Sequence, residues 1–498
     1  MLITNDAALI FDIGTTTLKA CLVNPEGVFL ASTSKTWSCT AATDIVGGLN
    51  CNPDVLFAQM IELAGNLVRA HKKVVVRAVA ISTQRLGFVL LDQQGEVLAG
   101  LPNIDRRAVQ EAADIAKTEK KIRYSMTGRW QGAQHLKTRL LWFKRHCPDL
   151  YSSISHVVSI GGYFEGRLTN GTVLWEPTTA CESAMFDVCS MAYLENEAEK
   201  RLFGHRVMPG QIIGGVNEGI ATRLGIAIGT PVICGGGDTQ LGVLGAGGIC
   251  EGDTVIVAGS SAPVNMVFST AILDPACRTV TNPHVVSGRW VMEANAMMTG
   301  TTFQWVKNLL FDGNEADSYR RLNEAATRRL HEEGNLPEIT LFAGASMADA
   351  RKGNTYAEGR LSFSMRDLNA GRITRDAVAL SAFESTAYAI LGNIDLLASI
   401  VGMPKRVIIG GGETRLPLLL ELLAGLLPVP LYRAHGDDMT CLGAALLAWH
   451  GIGRYESLEE AIGAMSGVEK VTCSVLPHRE KLMWRKEKWI QQMEEIRS

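Results

Sequence analysis

The chain has 498 residues, 47% hydrophobic and 20% charged, with a formal net charge of −3. That length is too great for one compact core and predicts two large domains of a globular enzyme. The weak charge leaves no basic field for nucleic acid, and even Leu416–Leu431 is broken by Glu421 and prolines, so no membrane span is expected. Residues Met1 to Asp6 lack the basic and apolar regions of a signal peptide. Eleven scattered cysteines without a CxxC pair read as reduced core residues. They predict a cytoplasmic protein without disulfides or zinc.

In chain order, the apolar run Ala8–Phe11 stops at Asp12, crosses Gly14 and Thr15–Thr17, and resumes over Leu18–Val23. Two strands joined by a Gly/Thr turn offer N–H groups and hydroxyls that cradle a phosphate, with Asp12 at the mouth to hold Mg²⁺ through water. An ordinary hairpin with a Thr-rich turn is the alternative. Asn24-Pro25-Glu26-Gly27 reads as a turn before a third run, Val28–Ala31. Apolar spacing predicts a helix over Pro53–His71 and strands over Val74–Ser82 and Phe88–Asp92, joined by a polar loop. Arg85 in that loop and Asp105, at a later strand end, either contact substrate hydroxyls or pair with each other. Gln134–His146 is a predicted helix closed by Pro148.

A short strand, Pro231–Cys234, leads into Gly235-Gly236-Gly237-Asp238 and a small-residue helix. A carboxylate at this turn either accepts the proton of an attacking hydroxyl or caps the helix. At a helix N-terminus its pKa is expected to be low. Gly242, Gly245 and Gly247 recur at intervals that bring them near one face for close packing.

The strand–turn–strand pattern then returns in Asp253–Phe268, with Gly259 standing 245 residues after Gly14. The recurrence predicts two related domains, 1–250 and 251–498, each opening on a phosphate-facing hairpin. Gly259-Ser260-Ser261 faces Thr15–Thr17 across the cleft in this reading. Gly410-Gly411-Gly412 ends a β-branched strand, either as bare backbone for a flat ligand or as a tight connection. Helices are expected over about Leu416–Leu427, Leu442–Ala448 and 478–497. No GxxxxGK[ST] or HExxH sequence occurs, which excludes the P-loop route to ATP and argues against a metal held by protein ligands alone.

In their order and spacing these motifs resemble the FGGY carbohydrate kinases of the sugar kinase/Hsp70/actin superfamily, nearly end to end. Asp12–Lys19 looks like the first phosphate motif, and Ser82–Asp92 like a substrate loop. Gly236-Gly237-Asp238 resembles the catalytic-base segment, and Gly259-Ser260-Ser261 stands where Gly-Thr-Ser is usual. Gly300 and Gln304 are similar to an adenine-side pair, Ile373–Ala389 to a family helix, and Gly410–Gly412 with Leu442-Gly-Ala-Ala to the adenosine motif.

The resemblance implies an α/β fold of two RNase H-like, actin-like ATPase domains flanking a nucleotide and sugar cleft. It implies Asp238 as general base, with Gln84, Arg85, Leu86, Asp105 and Gln134 toward the sugar. Asp12, Gly14, Thr15, Thr16, Gly259, Ser260, Ser261, Gly300, Gln304, Gly411 and Gly412 then serve ATP and its Mg²⁺. Gly235–Gly247 and Asn282–Gly288 look most like the autoinducer-2 kinase branch, the Ser82–Asp92 loop more like xylulokinases.

The departures fall on the sugar side. Leu86 replaces a charged or hydrogen-bonding residue, Gln134 a substrate Tyr, Arg139 a Lys, Gly162 an Asp, and Glu176 an Asp. Leu86 implies a substrate with a carbon-rich face, unless it points into the core. The expected partner is a small sugar. A second copy of the chain, or a phosphocarrier protein such as autoinducer-2 kinase docks, has no readable sequence trace. The rival of another class is a nucleotide-gated binding protein without transfer activity.

Overall fold

The computed structural model describes residues 5–171, 173–194, 202–311, 315–352, 359–436, 438–473 and 475–497. Two mixed sheets organise it. In the first, Asp6–Ile13 pairs antiparallel with Thr17–Val23, which pairs antiparallel with Phe29–Thr36. On its other side Asp6–Ile13 pairs parallel with Val75–Thr83, and that strand pairs parallel with Pro231–Gly237. The second sheet repeats the order. Asp253–Val257, Pro263–Phe268 and Trp290–Asn295 run antiparallel, and Arg406–Gly410 and Leu431–Ala434 continue parallel to the first of them. The expected pair of α/β domains is present. Its central strands are buried along nearly their whole length, as strands covered on both faces must be.

Register explains where polar residues collect. Asp12 lies beside Ser82, and Ser82 beside Gly236, so three parallel strands end at one sheet edge. In the second sheet Val257 lies beside Gly410. Ligands bind at such carboxyl ends because the loops there are free to diverge.

Two helices tie the halves together by crossing over. In Asp238–Gly245, Val243 packs with Val255 and Ile408 of the second sheet. In Met439–Gly451, Cys441, Ala444 and Ala445 pack with Ala8, Ile10 and Ala78 of the first. The helices touch backbone to backbone. A Cβ on Gly245 would lie 1.8 Å from the Met439 carbonyl oxygen, and one on Gly443 1.9 Å from that of Leu241. The close packing expected from the glycine spacing thus falls on Gly245 and on Gly443 of the facing helix.

Helix limits differ from the sequence reading mainly at their ends. The predicted Gln134–His146 helix begins at Leu136, because His135 takes an extended backbone. The segment read as Ile373–Ala389 continues to Val401, giving Arg375–Val401. That helix is long and apolar enough to cross a membrane, but its apolar window is 94% buried in the core of the second half.

Candidate active site

The floor of the cleft is acidic. Asp12, next to last in the first strand, accepts a hydrogen bond from Ser82 Oγ at 2.8 Å. Burial pushes its carboxyl up to about 7, Asp438 and Asp238 add to the rise, and Ser82 and Lys19 oppose it. Lys19, opposite Asp12 in the hairpin, instead binds Asp438 Oδ2 at 2.5 Å.

Asp238 opens its helix with a side chain 36% exposed. Its Oδ1 accepts from Thr239 N at 2.7 Å, and Arg85 Nε stands 3.8 Å away. The low pKa expected from the helix terminus is not found. Burial raises it above the usual carboxylate value, against Arg85 and the Thr239 hydrogen bonds, with Glu182 adding to the rise. Desolvation and a nearby like charge outweigh the helix end.

Two hairpin tips reach toward this floor. In the first, Gly14 N donates to Thr17 O at 2.9 Å, Thr15 Oγ1 accepts from Asn103 Nδ2 at 2.8 Å, and Thr16 is exposed. In the second, Gly259 N donates to Ser261 O at 2.9 Å and Ser260 is exposed. Neither Gly14 nor Gly259 has a positive φ, so these glycines leave space rather than supply a special backbone. Gly411 is different. Its φ is +100° and a Cβ there would lie 2.4 Å from Ala258 O. Gly300 also abuts the second tip, 2.3 Å from Gly259 O by the same measure.

Beside the second tip lies a cavity of about 840 Å³. Gly259, Ser260, Gly300, Gln304 and Gly412 line it, together with Phe303, Tyr319, Leu416 and Pro417. Ser261 and Gly411 sit next to that lining in the chain. Glu413 also lines the cavity, and sequence reasoning missed it. Among the described residues neither of its carboxyl oxygens meets hydrogen-bond geometry, and burial pushes it up to about 8, with Thr299 opposing the rise.

The sugar side is a charge network. Arg85 forks onto Glu293 at 2.7 and 3.2 Å and reaches Glu182 at 3.4 Å. Arg129 also binds Glu182, at 2.9 Å through Nη2, and donates to Asn282 Oδ1. Against burial, Arg129 and Arg85 hold the Glu182 carboxyl down to about 2. His135, which senses Glu182 and Arg129, is pushed down to about 4 by burial and is neutral. Gln134 precedes it, partly exposed. Leu86 is partly exposed, in a left-handed conformation of φ 62°, and its carbonyl accepts from Arg139 Nη1 at 2.9 Å. A bulky residue in that conformation is strained and marks a constrained loop.

Two expected substrate residues are placed elsewhere. Asp105 is fully buried, with Arg107 Nε on both oxygens, Leu49 N at 2.9 Å and Arg139 Nε at 3.4 Å. It braces the loop and does not pair with Arg85. Gln84 is also fully buried, donating to Gly14 O at 3.3 Å and accepting from Asn103 N at 3.1 Å. It backs the phosphate turn. Asn103, Glu182, Glu293 and Asp438 are polar groups of the cleft that the sequence reading did not single out.

Comparison with known proteins follows this division. Residues 7–245 match the N-terminal domain model of the FGGY family of carbohydrate kinases, and residues 254–452 its C-terminal domain model. The Bacillus subtilis protein YoaC, whose name places it among sugar kinases, is 27% identical over 474 residues, covering 94% of each chain. An autoinducer-2 kinase of Yersinia pseudotuberculosis is 25% identical over 476 residues, covering 91% of this chain and 88% of its own. In fold, a xylulose kinase from Rhodospirillum rubrum superposes with a TM-score of 0.85 at 20% identity, covering 98% of both chains. With both halves matched, the chain belongs to the FGGY family of carbohydrate kinases, enzymes that transfer phosphate from ATP to a sugar.

Proposed function

We propose that this kinase phosphorylates a hydroxyl of a small, neutral, sugar-like substrate, with Asp238 as the proton acceptor. The observation that carries the reading is the partly exposed carboxylate of Asp238, its pKa raised, at the sheet edge shared with Asp12 and Ser82. A base with a raised pKa accepts a proton better than the helix-end carboxylate first expected. Transfer through a loose transition state asks mainly for positioning and charge stabilisation, so a carboxylate suffices. Thr15, Thr16, Ser260 and Ser261 supply donors for the phosphates from opposite halves. The cavity at Gly300, Gln304, Gly411 and Gly412 takes the nucleoside.

The Asp12 and Asp238 carboxylates and the Ser82 hydroxyl offer oxygen donors, which suits a hard cation such as Mg²⁺. Asp12 holds it in this reading, through water, and the ion supplies charge neutralisation to the phosphates. Ionised Asp12 is needed for that task.

Charge narrows the substrate. Three carboxylates, of Asp238, Glu182 and Glu293, face two guanidiniums, of Arg85 and Arg129. A sugar acid adds a further negative charge to this group, whereas a neutral ketose adds none. Leu86 puts a partly exposed apolar side chain next to Arg85 in the chain, and a hydroxyl buried on it without a partner loses roughly 1–3 kcal/mol. A deoxy-ketose or an autoinducer-2-like ligand fits better than glycerol or xylulose. The test is kcat/KM for deoxy ketoses, fully hydroxylated ketoses, sugar acids and the autoinducer-2 precursor, in wild type and Leu86→His. The expected result is preference for the neutral deoxy or methyl-bearing ligand, reduced about tenfold by the substitution. Preference for a sugar acid, or an unchanged ratio in Leu86→His, defeats the reading.

A further inference from the structure

Sequence spacing separates Cys21 and Cys441 by 420 residues, yet their Sγ atoms lie 3.7 Å apart. Both side chains are buried, at 1% and 0% exposure. Cys21 sits two residues after Lys19 on one strand, so both point to the same face. That face meets the first turn of the Met439–Gly451 helix, where Asp438 is the cap and accepts from Cys441 N at 2.9 Å. The two thiols and a carboxylate oxygen of Asp438 all lie within 4.8 Å of one another.

We propose that Cys21, Asp438 and Cys441 form a site for a thiophilic divalent cation of the zinc type, bridging the two halves of the kinase. Tetrahedral coordination at about 2.3 Å per thiolate places two sulfurs about 3.8 Å apart, the separation found here. Core packing explains two buried cysteines, and the Lys19 pair and the helix cap explain Asp438; what points to a metal is that all three donor atoms converge on one point. On binding, the two S–H bonds break, two protons leave to solvent, and two metal–sulfur bonds form. No electron is transferred. Charge then balances, because one dication meets two thiolates and Asp438, and Lys19 supplies the remaining positive charge. A fourth position is left for water.

The consequence is inhibition. The ion takes Asp438 from Lys19 and sets a positive charge next to Asp12, which senses Asp438. This consequence, unlike the site itself, rests on the reading of Asp12 as the holder of the nucleotide's Mg²⁺.

The test titrates the whole, reduced, chelator-free chain with Co²⁺ and then Zn²⁺, in wild type, Cys21→Ser and Cys441→Ser. The expected result is a thiolate-to-cobalt charge-transfer band saturating at one equivalent, displaced by Zn²⁺ and lost in either variant. Zn²⁺ should raise the apparent KM for Mg-ATP about tenfold in wild type only, with metal-free turnover of the variants near wild type. Should serine at this apolar contact unfold the chain, Cys21→Ala and Cys441→Ala take its place. Absence of the band in wild type, or its survival in the variants, overturns the site. A cysteine-dependent band with an unmoved KM keeps the site and removes the assignment of Asp12. Inhibition that persists in the variants, without such a band, overturns the site and leaves Asp12 untouched.

Discussion

The two halves repeat one topology, and the same position does different work in each. The last parallel strand of the first sheet leads into Asp238, and that of the second sheet leads, through a short loop, into Asp438. Both stand at a helix start. The Asp238 carboxylate accepts from Thr239, has Arg85 at 3.8 Å and stays partly exposed, while Asp438 is neutralised by Lys19 and caps Cys441 N. The strand ends diverge likewise. Asp12 and Ser82–Arg85 in the first half correspond to Val257 and Gly410–Glu413 in the second. A polar edge suits sugar and metal, and a bare glycine edge suits a flat base. The shared topology supplies the frame, and in the proposed reading a few side chains decide which half does the chemistry.

The largest expected effect separates the two aspartates. Asp238→Asn keeps the shape and removes the proton acceptor, so kcat should fall on the order of a hundredfold or more with ATP affinity little changed. Asp438→Asn should lower kcat less than about tenfold, since its carboxylate serves Lys19 and the helix cap. Steady-state kinetics with calorimetric ATP binding reads both. Equal losses in the two variants erase the functional difference between the halves.

A second, smaller effect concerns the bridge between them. Glu293→Gln weakens the fork that holds Arg85 from the second half. The sugar KM should rise about tenfold with the KM for ATP unchanged, as expected for a charge-assisted contact of roughly 1.5–3 kcal/mol. A change confined to ATP would place Glu293 on the nucleotide side instead.

The third prediction is a pH dependence. Asp12 lies at about 7 without metal, so protonation below that value opposes Mg²⁺ binding. At limiting Mg²⁺ the KM for Mg-ATP should therefore rise as pH falls below about 7, by up to about tenfold per pH unit. Excess Mg²⁺ should restore it, and Asp12→Asn should flatten the profile. A rise toward high pH contradicts the assignment.

Much of this was legible in the chain because it is local. The strand–turn–strand hairpins at Gly14 and Gly259, and the glycine runs ending at Asp238 and Gly412, carry their meaning within a dozen residues. What was not legible depends on distant partners. Whether Asp105 faces the cleft was decided by Arg107 and Arg139, which turn it inward. Arg85 meets Glu182 and Glu293, 97 and 208 residues away, and no local pattern announces either. The upward pKa direction at Asp238 is hidden from sequence for the same reason, since helix position is local and desolvation is not. Cysteine spacing likewise gave no hint of Cys21 meeting Cys441.

The most direct test is a structure with a non-hydrolysable ATP analogue and the preferred sugar bound together. The predicted result places adenosine in the cavity at Gly300, Gln304 and Gly412, with the terminal phosphate between the Thr15–Thr16 and Ser260–Ser261 tips. One sugar hydroxyl should then lie within hydrogen-bond reach of Asp238. A sugar hydroxyl directed at Asp438, or a nucleoside seated against Arg85 and Glu182, would contradict the account.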